Sequence, residues 1–263
     1  MNTTNSKPLE KSRGILAFAY NVDTIDYVSI AKKTLELASK KLNLPYTLVT
    51  DNELKNELHN SRYDIDSNTF IQWRNIGRHH AYEMSPYDET LVIDVDYLVV
   101  NDNLNKIFNL EWDYILQRNS YALTVEWPSL MGETSLPYIW ATVFAFRKTK
   151  KAKLYFDLIG RIQRNYYYYR DLFNIQERIF RNDYAFAMAD IILNGYTLSL
   201  KSIPENMLAI NQVINSITNE ENYFVIKDNL KAYVVSKTNL HIMSKGYLQS
   251  DNFSQLINNL INE

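Results

Sequence analysis

The chain has 263 residues, 46% of them hydrophobic and 22% charged, with a net charge of −2. That length is close to the upper size for one hydrophobic core, and that balance excludes a disordered tail protein and a Pro/Gly-rich fibre. With no Cys and six Gly, disulfides, thiolate chemistry and glycine-rich phosphate loops are excluded, so any phosphate chemistry must rest on a metal or on side chains.

Met1–Ser12 is polar and lacks the apolar core of a secretory leader, and no run of eighteen apolar residues occurs. The expectation is a soluble cytoplasmic chain with a flexible segment over residues 1–12 and one domain over residues 13–263. Gly14–Tyr20 is a short apolar run that reads as a buried strand. A helix follows over Thr24–Lys41, with Ile25, Val28, Ile30, Ala31, Leu35 and Ala38 on its apolar side. Pro45–Thr50 is a second strand ending at Asp51. Strand, helix and strand at this spacing form a βαβ unit, which implies a parallel sheet with ligands at the carboxyl ends of its strands. The pattern predicts a helix over 69–83, stopped by Ser85-Pro86, and a third strand over Thr90–Asp94. Tyr138–Arg147 reads as a strand, Lys150–Tyr169 as a helix, and Asp183–Leu193 as a helix closed by Asn194-Gly195. Short strands are expected near 197–203, 223–227 and 231–236, before a terminal helix from Asp251. No internal repeat or low-complexity linker interrupts this order, and the class is α/β.

The sharpest chemical feature is Asp94-Val95-Asp96 at the end of the apolar run Leu91-Val92-Ile93. Carboxylates at i and i+2 point the same way on an extended backbone. Burying two like charges there costs several kcal/mol each, of the order of 3 or more, unless a cation compensates them. A divalent ion completed by substrate phosphates meets that demand; the competing reading makes both residues turn or cap groups at a solvated strand end. His241, four residues before Lys245, offers an imidazole for a metal and an ammonium for a phosphate, or else a half-buried loop His beside a surface Lys. His79 and His80 are adjacent and expected to point different ways, which argues against a joint metal site. Residues 147–181 hold ten Lys or Arg against three acids, a surplus of seven that leaves the rest of the chain at −9. With Tyr166–Tyr169 interleaved, this segment either follows a phosphate backbone, through Tyr167 and Arg170, or is a solvated helix whose Tyr pack on the core. A pI near 6.1 argues against a dedicated nucleic-acid binder.

Taken together, the first βαβ unit, the run Ser85-Pro86-Tyr87-Asp88-Glu89-Thr90 leading into Asp94 and Asp96, and the late His241 with Lys245-Gly246 resemble a GT-A glycosyltransferase of the glycogenin-like type, glycosyltransferase family 8. The resemblance implies a single Rossmann-like α/β domain with a mostly parallel central sheet flanked by helices and a small antiparallel element in the C-terminal half. It also implies manganese- or magnesium-dependent transfer of a hexosyl or pentosyl group from a nucleotide sugar, a UDP-sugar first, to a hydroxyl of a saccharide or of a hydroxylated base in DNA. By the same resemblance Asp94, Asp96 and His241 are metal ligands, and Lys245 contacts the diphosphate as a catalytic cation. Tyr20, Asn21 and Asp51 hold the nucleoside, and Arg78 meets the donor. The late motif here lacks the family's middle Gly and its Pro-Trp, and Tyr138-Ile139-Trp140 replaces the usual Asn-Ala-Gly, which implies unusual acceptor contacts around Trp140. Arg181-Asn182-Asp183 matches the segment near the reacting sugar, with Asp183 either a base for the acceptor hydroxyl or an N-cap. Two other classes stand beside this: a non-catalytic nucleotide-sugar or polyanion binder of the same fold, and a nucleotidyltransferase using paired Asp for two-metal chemistry.

Overall fold

The computed structural model describes residues 11–22, 24–50, 60–73, 77–124, 130–131, 134, 136–197, 199 and 201–263. The predicted segment over residues 1–12 therefore lies, for its first ten residues, outside the described residues, as does Asp51.

The chain opens as predicted, with β1 (Arg13–Ala19), α1 (Tyr27–Leu42) and β2 (Tyr46–Thr50). Asp26 starts α1 by accepting the Ser29 N–H, and Asn43 ends it in a left-handed conformation (φ 52°). A hairpin follows, β3 (Asn60–Asp64) with β4 (Thr69–Trp73). This corrects the helix predicted over 69–83: Thr69-Phe70-Ile71-Gln72-Trp73 is rich in β-branched and aromatic residues and pairs with β3. Helical structure is confined to a 3-10 turn at Arg78–His80 and the four-residue α2 (Ala81–Met84).

Next come β5 (Glu89–Ile93), β6 (Tyr97–Leu98), a 3-10 segment at Asn103–Asn109, β7 (Tyr114–Gln117), β8 (Ser120–Ala122) and β9 (Trp140–Arg147). The predicted long helix over 150–169 is two, α3 (Lys150–Arg164) and α4 (Tyr166–Leu172). They break at Asn165, whose backbone (φ −122°, ψ 35°) leaves helical geometry while its side-chain amide donates to Arg161 O. Then follow α5 (Asn182–Leu193), β10 (Met207–Ile210), β11 (Ser216–Asn219), β12 (Tyr223–Lys227), β13 (Ala232–Ser236), β14 (Asn239–Ile242), α6 (Lys245–Leu248) and α7 (Asp251–Asn262). Among the described residues the strand expected near 197–203 reduces to a single bridge, Ser202 to Leu116.

The central sheet runs β2-β1-β5-β9-β7. Because β1 is parallel to β2 and β5, while β9 is antiparallel to β5 and β7, four strands run one way and β9 alone runs back. Strand alternation divides the core in two. Leu16 and Phe18 of β1 join Phe156, Ile159 and Phe186 from α3 and α5, whereas Ile15, Ala17 and Ala19 join Ala31, Leu35 and Ala38 of α1. A fully buried Leu35 alone contributes about 2 kcal/mol. At the start of β5, buried Glu89 accepts from Arg13 Nε (2.8 Å) and Arg147 Nε (2.7 Å), one from each neighbouring strand, which pins the end of the sheet away from Asp94.

A second sheet has the order β6-β14-β10-β8, with β10 parallel to β14 and β8. Its apolar side chains pack on Phe253, Leu256, Ile257 and Leu260 of α7. The antiparallel β11-β12-β13 sheet supplies the small element expected in the C-terminal half. The architecture is α/β, with a central sheet of mostly co-directional strands between helices.

Candidate functional site

The two sheets are joined through the residues that the sequence singles out. β5 ends at Ile93 in the first sheet and β6 starts at Tyr97 in the second, so Asp94-Val95-Asp96 is the link between them. The link is a turn, with Tyr97 N–H donating to Asp94 O (3.1 Å) and Asp94 N–H to Thr142 O (2.8 Å). The extended backbone assumed for the paired carboxylates is therefore corrected, and so is the solvated strand end: Asp96 is buried and the Asp94 side chain is 17% exposed.

Sheet pairing brings up the third member. β14 lies antiparallel to β6 with His241 opposite Tyr97, and Ile242 N–H donates to Asp96 O (2.9 Å). His241 is thus a buried strand residue, not a loop residue, because its neighbours Leu240 and Ile242 pack into the core between the second sheet and α7. One potential ligand atom from each of Asp94, Asp96 and His241 falls within 4.8 Å of the others. His241 Nε2 lies 3.5 Å from Asp96 Oδ1, and that oxygen, although buried, accepts no hydrogen bond among the described residues. Two hard carboxylates, one of them presenting this buried oxygen, and one imidazole form a donor set that fits a divalent cation.

Two cations already balance the two carboxylates. Lys245 Nζ, buried, pairs with Asp96 Oδ2. Buried Arg78 donates through Nη2 to Asp94 Oδ1 and through Nη1 to Ala141 O. Burial pushes the Asp96 carboxyl up, but the Lys245 ammonium and then His241 outweigh it and hold Asp96 well below the usual carboxylate range. The cationic compensation that the sequence requires for the buried acids is thus supplied by two side chains of the chain itself.

The Ala141 peptide is held from both sides. Its C=O takes Arg78, and its N–H donates to Asp183 Oδ1 at 2.8 Å. Asp183 Oδ2 lies 3.4 Å from Arg181 Nη2. Arg181 occupies the N-cap position of α5, so Asp183 is a first-turn residue that anchors the start of β9 and not the cap of its own helix. Trp140, at the head of β9, donates from Nε1 to Ser120 Oγ (2.8 Å) and sets its ring edge against His241 at 5.1 Å between centroids. Tyr138 is half-buried beside it, with its phenol raised by burial and by the Asp183 charge.

Tyr20 and Asn21 follow the carboxyl end of β1, the strand beside β5. Tyr20 is buried in the core beside β1, and Asn21 Oδ1 accepts the Val28 N–H near the start of α1 (2.9 Å). Tyr167 is 70% exposed on α4, and Arg170 Nε donates to Ile175 O (3.1 Å). No hydrogen bond, ion pair or ring contact among the described residues joins Tyr167 or Arg170 to the acid pair. His79 and His80 do not diverge, since their rings lie 4.0 Å apart. Asp66 is a site neighbour that sequence reasoning missed: it accepts from Ser244 Oγ (2.7 Å) and from Gly246 N–H (3.0 Å), on either side of Lys245. Its only local signal is the turn-forming Asp66-Ser67-Asn68 between two β-prone runs.

No family model and no curated protein matches this chain. Among solved structures, it is similar to the glycosyltransferase GlyE of Streptococcus pneumoniae TIGR4 (14% identity, 74% of this chain and 46% of that one, TM-score 0.42). It is also similar to the galactosyltransferase LgtC bound to donor and acceptor sugar analogues (12%, 68% and 69%, 0.41). A third likeness is to the inositol-1-phosphate CTP transferase of T. maritima (10%, 95% and 97%, 0.38). The chain spans about half the length of the pneumococcal protein, and at these scores none of the three likenesses assigns a residue or an activity.

Proposed function

We propose that this chain is a metal-dependent glycosyltransferase that moves a sugar from a nucleoside-diphosphate donor, a UDP-sugar first, to an acceptor hydroxyl. The observation that carries this reading is the convergence of Asp94, Asp96 and His241 within 4.8 Å, with Lys245 on the same carboxylate. The resemblance of the Asp94-Val95-Asp96 and His241…Lys245 segments to the glycogenin-like pattern supports it. Asp94, Asp96 and His241 would hold a manganese or magnesium ion, which supplies Lewis-acid charge to the leaving diphosphate when bound.

The chain's own groups do the rest. Lys245 adds positive charge where negative charge grows on the leaving group. Arg78, tied to Asp94 and to Ala141 O, orients a ligand carboxylate and fixes the head of β9. Trp140, held by Ser120, walls the acceptor side next to His241. Asp183 Oδ2, which among the described residues has the 3.4 Å contact to Arg181 alone, is the oxygen that can accept the acceptor proton, since Oδ1 is held by Ala141 N–H. In this reading the acceptor is a saccharide or other small hydroxyl compound.

Thermal denaturation against UDP, GDP, CDP and ADP, each with and without Mn²⁺, tests the donor site. A ligand at a hundred times its Kd stabilises the fold by about 2.7 kcal/mol. The expected result is a metal-dependent rise with one nucleotide that disappears in Asp96→Asn, together with loss of sugar transfer in the Asp94→Asn/Asp96→Asn variant. No rise with any pair would overturn the reading. Binding without donor hydrolysis or transfer across an acceptor panel would replace it with the non-catalytic binder, and pyrophosphate release from a nucleoside triphosphate with the nucleotidyltransferase.

A further inference from the structure

The four-residue helix α6 starts without help from its own N-cap. Ser244 occupies that position and is a residue type that ordinarily accepts an N–H one turn on, yet its side chain makes no capping bond. Its hydroxyl turns away and donates to Asp66 Oδ1 (2.7 Å), while Asp66 Oδ2 accepts the Gly246 N–H (3.0 Å). A carboxylate from the tip of the β3–β4 hairpin, 178 and 180 residues earlier in the chain, thus replaces the local cap.

The two residues that Asp66 grips flank Lys245, whose ammonium meets buried Asp96. Ser244 is fully buried. A Cβ at position 246 would stand 3.4 Å from Asp66 Oδ1, at the near edge of ordinary van der Waals contact, so the carboxylate lies directly against this residue. A single helical turn has too few internal hydrogen bonds to hold itself, so its geometry follows whatever fixes its first residues.

We propose that Asp66 is a positioning residue for Lys245: by gripping Ser244 and Gly246 it fixes the backbone from which the ammonium reaches Asp96, and it makes seating of the β3–β4 hairpin and placement of Lys245 one event. The consequence for the donor rests on the reading above, in which Lys245 meets a diphosphate. The clasp itself does not.

Two readouts on the full-length chain separate these. The first is the rate at which a small acetylating reagent modifies Lys245, followed by mass spectrometry under conditions where each variant is folded. Asp66→Ala raises that rate about tenfold or more, and Ser244→Ala, which removes half the clasp, raises it less. The second is UDP binding with Mn²⁺ by calorimetry in wild type, Asp66→Ala, Lys245→Ala and the double variant. Asp66→Ala weakens binding about tenfold in the presence of Lys245 and has no further effect in its absence, while Asp66→Asn restores part of the loss. An unchanged labelling rate in folded Asp66→Ala and Ser244→Ala overturns the proposal, as does an equal loss of affinity with and without Lys245. If wild type binds no nucleoside diphosphate, the donor reading falls and the labelling rate alone decides the clasp.

Discussion

His79 lies under α3 in a position that favours its neutral form. Burial lowers its pKa from 6.5 to about 4, with smaller contributions from His80 and Arg164, and its Nδ1 has no partner among the described residues. The folded-state value is below the unfolded one, so the folded chain binds fewer protons. This contribution to stability is fully present above pH 6.5 and is lost as pH falls through 6.5 toward 4. Between pH 7.5 and 4.5 the loss amounts to about 2–3 kcal/mol. Urea denaturation at the two pH values should show this excess in wild type and not in His79→Leu; equal pH dependence in both would refute it. The proximity of the two rings was not legible in the sequence, because divergence of adjacent residues assumes a regular α-helix and Arg78–His80 is a 3-10 turn. The acid pair and His241 were legible as chemistry, since a D-x-D after an apolar run and a rare His are local signals. Their internal partners were not: Arg78 and Lys245 are 16 and 149 residues from the carboxylates they meet.

At the scale of elements, the tightest joint beside this turn is between α3 and His79. A Cβ at Gly160 would meet His79 Cδ2 at 2.7 Å, too close without movement. Gly160→Ala gains about 1 kcal/mol of helix propensity, but the clash costs about 1–3 kcal/mol, so the net expectation is destabilisation. With His79→Ala in the background the clash is gone and the same change should stabilise α3. Chemical denaturation of the four variants checks this reversal of sign; a Gly160→Ala effect of the same sign in both backgrounds would sink it. The elements that sequence reasoning placed correctly carry a clear period or cap, as in β1, α1 and the α5 helix ending before Gly195. Those it missed are set by partners far along the chain. β4 is a strand because β3 lies beside it, and β10 and β14 are four-residue strands defined by pairing with each other and with β8 and β6. Asn165 breaks the long basic helix through one backbone conformation that the Tyr run conceals.

For the molecule as a whole, the site is where two sheets meet, and among the described residues each of its carboxylates is met by a cation. Asp94 and Asp96 are matched by Arg78 and Lys245, inside a chain of net charge −2. A divalent ion added to this neutral group leaves it at about +2, which a low-dielectric site tolerates poorly until an anion arrives. A diphosphate alone meets, among the described residues of the acid pair's surroundings, Lys245 and Arg78 already engaged by Asp96 and Asp94. Each ligand therefore creates the charge the other needs, so Mn²⁺ and UDP should bind with positive coupling, each raising the affinity of the other by the same factor. A tenfold effect corresponds to about 1.4 kcal/mol, and a coupling at least that large is expected. Calorimetric titration of Mn²⁺ with and without UDP, and of UDP with and without Mn²⁺, measures that factor twice. In Lys245→Ala, metal binding without nucleotide should strengthen, since Asp96 is no longer shared, and the coupling should shrink. Independent binding of the two ligands in wild type would mean that the buried ion pairs stay closed when ligands arrive, and that the acid pair is held for structure alone.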